Sequence, residues 1–264
     1  MALSKFFTVE LFPEFTPAGL IQANKSHLPF AEGDVIIDWE PFDIPNCPVL
    51  LRDINVVIRG KDGTPQNKRD LVFYFARPNT DGTAPSSLGT VNSTADGYGY
   101  YNNLVGTVII DEADFKPGLR YMSMASTGQA STANQQPDMV LESIALSNRT
   151  TDTRNTTVGF DAIYLGMIAG INNTMSFETG VQVNDGDGRG VTTSQVDITV
   201  DGTDARKVFA KGDKVGAHDG AIIGHVVSVP SATSIIVDRV DEALADDDEI
   251  INLTPFKIIL SFEY

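Results

Sequence analysis

Apolar positions along the chain recur with period two or gather into short runs, and sustained i, i+3, i+4, i+7 spacing is scarce. Strands are therefore expected nearly throughout. The candidates are FFTVELF (6–12), VIIDW (35–39), LLRDINVVIRG (50–60), DLVFYFAR (70–77) and GTVIID (106–111). They continue with LRYMSMA (119–125), DMVLESIAL (138–146), VGFDAIYLGMIA (158–169) and TMSFETGVQV (174–183). Pieces rich in Gly, Pro, Asn and Asp, such as GKDGTPQNKR and RPNTDGTAPSSLG, separate them as turns and long loops. EADF (112–115) and DEALADDDE (241–249) each read as a helical turn.

This pattern makes residues 1–183 an antiparallel, jelly-roll-like β-sandwich. The run VNDGDGRG (183–190) reads as a linker, after which strands and turns alternate more tightly: VDITVD, KVFAKGDKVG, AIIGHVVSV, TSIIVD and EIIN. Residues 184–252 thus read as a second, small β-barrel domain, with a weak internal repeat in ITVD (198–201) and IIVD (235–238). The closing FKIILSFEY is a strong strand signal. It is expected to leave the barrel and pair back into the first domain, so that 253–264 belongs to the sandwich and 184–252 is an insertion. The fold class is all-β.

Charge changes what such a scaffold can bind. The chain carries 19 basic and 35 acidic residues, a net charge of −16. Nucleic-acid binding needs cations to displace counterions from phosphates, so a nucleic-acid partner is not expected. The same balance disfavours an anionic membrane surface, and no targeting signal is read in MALSKFFTVELF. The longest apolar run, AIYLGMIAGI (162–171), is half a membrane span. Residues 181–264 hold 7 basic and 15 acidic residues, about twice as acidic per residue as the rest.

Candidate chemistry adds little to this. The single cysteine, Cys47, permits no intrachain disulfide and reads as a small buried apolar residue. The stretch 207–238 holds His218, His225, Asp213, Asp219 and Asp238, but GAHDGAIIG lacks the Lys-Ser/Thr pair of a phosphate loop and precedes a strand. The two histidines read as surface residues, and no third metal ligand stands at a recognised spacing. His27 looks isolated. NDGDG (184–188) resembles the start of a calcium loop, but Val196 stands where the bidentate Glu is required. That excludes an EF-hand and leaves a looser cation site open. DDDE (246–249) reads as a solvated turn. There is no G-x-S-x-G; paired carboxylates for glycoside hydrolysis are a question of spatial separation, whereas the lone tryptophan, Trp39, in VIIDWEPF reads as strand core and offers little sugar stacking. No catalytic, cofactor-binding or metal-ligating residue is assigned, and no cofactor is expected. The loop 79–103, with Tyr98, Tyr100 and Tyr101, reads as solvated or as an interaction surface. The phenylalanine-rich start (Phe6, Phe7, Phe12, Phe15) reads as a docking arm or as a core strand.

One pattern does point to a family. Phe209, Gly212-Asp213-Lys214-Val215, Asp219-Gly220, Ile223-Gly224, Val226, Ser228-Val229, Thr233, Ile235, Val237-Asp238, Ala243-Leu244 and Asp247-Asp248 resemble small β-barrel modules of tailed-bacteriophage structural proteins. LLRDINVVIRGKDGTPQN, LVFYFARPNTDGTAPSSLGTVN and VGFDAIYLGMIAG are similar to virion proteins of marine and cyanobacterial tailed phages. The resemblance covers about two-thirds of the chain and lacks any collagen-like fibre repeat. It implies a virion structural protein, in particular a capsid decoration (cement) protein that is not an enzyme. Such a protein would be made in the host cytoplasm and placed on the capsid surface. Its partner would be the major capsid protein, and it would be a homo-oligomer, dimer or trimer. The alternative is a tail or baseplate component with a carbohydrate-binding or polysaccharide-cleaving role.

Overall fold

Three antiparallel sheets carry the regular structure of a computed structural model, which describes residues 5–16, 20, 27–62, 64, 70–97, 99–119, 121–127, 137–142, 160–171, 175–186 and 188–264. In chain order the strands are β1 (Phe6–Leu11), β2 (Val35–Pro45), β3 (Val49–Arg59), β4 (Leu71–Ala76), β5 (Leu104–Ile110), β6 (Lys116–Leu119), β7 (Met122–Ser126) and β8 (Met139–Leu141). They continue as β9 (Phe160–Ala169), β10 (Val181–Val183), β11 (Val196–Gly202), β12 (Lys214–Ala217), β13 (Ile222–Ser231), β14 (Ser234–Val237), β15 (Ile250–Asn252) and β16 (Phe256–Glu263). The protein is all-β, with antiparallel sheets and one nearly closed, barrel-like sheet.

The first sheet has the order β1-β16-β3-β7-β6, with β8 also pairing β3. It faces a four-stranded sheet of order β2-β9-β4-β5. Alternation sets the contact: in β16, Phe256, Ile258, Leu260 and Phe262 are buried while the residues between them are half-buried. Phe42 of the second sheet stacks on Phe262 of the first at 5.9 Å. The C-terminal strand β16 lies between β1 and β3, so the chain returns from the barrel to this sheet.

Strand β9 is buried on both faces, because the loop following β4 covers the outer side of its sheet. Leu88 is fully buried there, and a Cβ on Gly166 would collide with it. The indole of Trp39 donates to Ser86 O at 2.7 Å, and its ring meets Tyr100 edge-on at 5.7 Å. Much of the loop read as solvated or interfacial is thus the lid of the second sheet. Tyr101 is exposed, and Tyr98 lies outside the described residues.

The third sheet has the order β10-β11-β14-β13-β12-β15. Its ends meet through the Gln182↔Glu249 bridge and the hydrogen bond from Val183 N to Asp248 O at 2.8 Å. Strand β10 pairs with β11, so this sheet begins at Val181. The near-repeat segments ITVD and IIVD are neighbours in it, with Ile198 opposite Ile235.

Three expectations fail locally. VIIDW continues through Pro41 to Pro45, because β2 is an edge strand, where a missing N–H costs no ladder bond. TMSFETGVQV is strand only from Val181; Met175 and Phe177 are buried in irregular backbone, where Phe177 packs on Phe15 and Phe256. DEALADDDE is a turn with Asp247 at φ 65°, not a helical one, whereas EADF does form a 3-10 turn at Glu112–Asp114. Residues 143–146 of DMVLESIAL lie outside the described residues.

Candidate functional site

A recurring turn explains the Gly-Asp pairs of the sequence. In Ala210-Lys211-Gly212-Asp213, Asp213 N donates to Ala210 O, and the Asp213 carboxylate accepts Ala210 N at 2.8 Å. Ala245-Asp246-Asp247-Asp248 and Ala31-Glu32-Gly33-Asp34 repeat both bonds, with carboxylate distances of 2.6 and 2.7 Å. In all three the third residue has positive φ: 94° at Gly212, 65° at Asp247 and 85° at Gly33. Each turn leads directly into strand structure, and each terminal aspartate is buried. These carboxylates satisfy backbone donors that would otherwise lack partners.

Two of the turns then reach toward the sandwich. Asp213 also accepts Arg59 Nη2 from β3 at 3.0 Å and Asn252 Nδ2 at 3.0 Å. Its burial raises the carboxyl pKa, more than the neighbouring Arg59 charge lowers it. Next to Asp248, Glu249 accepts four donors: His27 Nε2 at 2.7 Å, Thr179 N at 2.7 Å, Thr179 Oγ1 at 3.1 Å and Gly180 N at 2.9 Å. Burial alone would raise the Glu249 pKa, but the bonds from His27 and Gly180 win and hold it below the ordinary value. His27 is correspondingly raised: burial opposes its charge, and the Glu249 hydrogen bond and charge overcome that. Glu178 also favours the charged imidazole, Lys61 opposes it, and Lys61 pairs with Glu178 at 2.9 Å. A third link joins Lys214 to Glu14.

These bonds place several sequence candidates differently. His27 is not isolated but ties the sandwich to Glu249. His218 is largely buried, and its Nδ1 accepts Glu249 N at 2.9 Å, so it is not a surface residue. His225 is exposed, 3.5 Å from Asp238. Asp219 caps its own turn through Ala221 N. Cys47 is exposed rather than buried, since it lies in the Asn46–Pro48 turn between two strands. The DDDE run is a turn solvated only in its first half: Asp246 and Asp247 are exposed, but Asp248 is buried and Glu249 nearly so. In NDGDG, Asp185 is held by Arg189 at 2.6 Å, and Asp187 lies outside the described residues. Among the described residues, no group of three or more His, Cys, Asp or Glu could hold a metal ion.

Two recesses flank the junction. One, of about 220 Å³, is lined by Phe12, Val57, Arg59, Met122, Asp213 and Lys257 among others. The other, of about 160 Å³, gathers Glu14, Asp38, Trp39 and Glu40. Burial, and secondarily Glu14, pushes the Glu40 carboxyl up. Arg59, His27 and Glu249 were missed by motif reading because their partners lie 154 and 222 positions away.

No family model matches the chain, and no curated protein is similar to it. Among solved structures it aligns with the VP2 subviral particle of infectious bursal disease virus at 10% identity and a TM-score of 0.18, covering 98% of this chain and 41% of that one. A T13 viral particle of the same virus gives 10% identity and a TM-score of 0.17, with 98% and 39% covered. The chain therefore spans about two-fifths of those chains, and likeness at these scores carries no argument.

Proposed function

We propose that the protein is a virion structural protein, specifically a capsid decoration protein of a tailed bacteriophage that binds the major capsid protein lattice on the outside of the head and stiffens it. The sequence resemblance supplies the class, and one observation supports the role: beyond the end where Arg59 meets Asp213, the outer face of the first sheet has no described layer over it. Register places Met124 beside Val57 and Val140 beside Leu50 on that face, and both Met124 and Val140 are exposed. Around them Asp53 is held by Asn55, Ser126 and Thr127, and Arg52 by Asp138 and Glu263. Two exposed apolar side chains set ~23 Å apart along β3, with self-satisfied polar groups between them, suit a broad protein contact, for which a stable complex buries ~1,600 Å².

The test is binding of purified protein to empty capsids that lack it, read by co-sedimentation and electron microscopy. The reading expects saturation at hundreds of copies per head, and at least tenfold weaker binding for a Met124→Asp, Val140→Asp double variant. Localisation to the tail tip would overturn it.

A second reading, carbohydrate binding on the tail, is favoured by the recess where Trp39 stands among Glu14, Asp38 and Glu40. At about 160 Å³ it falls short of the ~300–1,000 Å³ of most ligand pockets, and its indole already packs on Tyr100. Glycan binding lost on Trp39→Ala would establish it.

A further inference from the structure

We infer that the protein forms a two-fold dimer by antiparallel pairing of β1 with β1 of a second copy, joining two six-stranded sheets into one. This does not depend on the capsid reading and leaves the outer face described above uncovered.

Among the described residues strand β1 ends its sheet, and it pairs β16 over six residues without a register shift. Other sheet ends are interrupted. β2 carries Pro41, Pro45 and two register shifts, β6 carries Pro117 and a shift, and Met139 packs against Gly106 of β5. A regular, proline-free edge is a template for another strand.

Hydrogen-bond parity fixes which groups face outward. Lys5 and Tyr264 exchange both backbone bonds, so the odd residues Phe7, Val9 and Leu11 turn their N–H and C=O toward β16. Phe6, Thr8 and Glu10 turn theirs toward the edge that no described strand pairs, and Phe12 directly follows the strand. The side chains of these four are exposed, Phe6 by 71% and Phe12 by 54%.

Charge selects both occupant and register. Each copy carries a net −16, yet the only charged side chain from Phe6 to Phe12 is Glu10, already paired with Lys257 at 2.9 Å. Pairing about Val9 sets Phe6 opposite Phe12 of the second copy and Thr8 opposite its Glu10. That matches aromatic with aromatic and hydroxyl with carboxylate, and leaves the two Glu10 carboxylates diagonal rather than directly opposite, each already paired with its own Lys257. On the inner side Phe7 meets Leu11, and Val9 meets Val9 on the axis. Pairing about Thr8 would instead set each exposed Phe6 against the Glu10 carboxylate. An isologous contact of this kind closes at two copies.

The experiment is analytical ultracentrifugation of the full chain, joined to disulfide trapping in a Cys47→Ser background. The wild type should sediment as a dimer, more tightly so as salt is raised and the −16 charges are screened. Thr8→Pro removes an outward N–H and spares the β1–β16 bonds. It should weaken the dimer at least tenfold while leaving the circular dichroism spectrum unchanged. Val9→Cys should cross-link on oxidation, because facing non-hydrogen-bonded residues lie about 4.5 Å apart at Cα, within disulfide range. Thr8→Cys should not. A monomer or trimer mass, a dimer that survives a folded Thr8→Pro, or trapping at residue 8 instead of 9 would each overturn the inference. Should Thr8→Pro unfold the chain, the two cysteine variants still decide it.

Discussion

The two halves of the molecule fill their interiors differently. The sandwich core is built on phenylalanine: Phe15, Phe30, Phe42, Phe73, Phe75, Phe177, Phe256 and Phe262 are all buried in it. The barrel core consists of valine, isoleucine, leucine and alanine, with Phe209 its one aromatic among the described residues. Two open sheets packed face to face stand ~10 Å apart and need long side chains to close the gap. A six-stranded sheet curled on itself leaves a narrow interior that branched aliphatic residues fill. Interior width, rather than hydrophobicity, decides which apolar residue each strand carries.

The largest effect that could break this comparison is a truncation in the wide core. Phe73→Ala should cost ~3–5 kcal/mol of unfolding free energy by urea denaturation. The reverse change in the barrel, Val200→Phe, should also destabilise, by ~1–3 kcal/mol, since no gap exists to receive the ring. A neutral Val200→Phe would show that the barrel interior is not width-limited.

Next in size is the bond across the two halves. Asp213→Ala leaves Arg59, Asn252 and the Ala210 N–H without their acceptor and should cost about 3 kcal/mol, as expected on removing one member of a largely buried pair. Double-mutant cycles with Arg59→Ala should recover a coupling of ~1 kcal/mol or more, which independent halves would not show.

Smaller still are the turns common to both halves. Gly212→Ala and Gly33→Ala should each cost ~1 kcal/mol, since the φ values of 94° and 85° disfavour a Cβ that meets no backbone. Equal costs would confirm that one turn chemistry serves sandwich and barrel alike.

The smallest effect is the pH response of the His27–Glu249 pair. His27 is held more basic than its ordinary 6.5, so its contribution is complete below that pH and is lost as pH rises through the raised value. Glu249 is held more acidic than its ordinary 4.5, so its contribution is complete above that and is lost as pH falls through the lowered value. The pair is strongest between these limits. The melting temperature should fall modestly as pH rises from about 6 to about 8, and His27→Gln should flatten that slope.

Much of the fold could be read in the chain because strands advertise themselves locally. The alternation in FKIILSFEY and the apolar run of β9 both marked strands. Gly166 inside that run leaves room for Leu88, which no local pattern specified. The junction was far less legible. Asp213 and Glu249 look like ordinary acidic turn residues until β3 and the His27 segment are brought against them.

The sequence by itself determined the all-β class, the positions of most strands and the glycine turns, because period two and positive φ are properties of adjacent residues. Only the tertiary structure decided that Asp213 and Glu249 are shared by both halves, that His218 is largely buried while Cys47 is exposed, and that β1 ends its sheet among the described residues. Burial and pairing depend on which distant segments meet, and no local spacing encodes that.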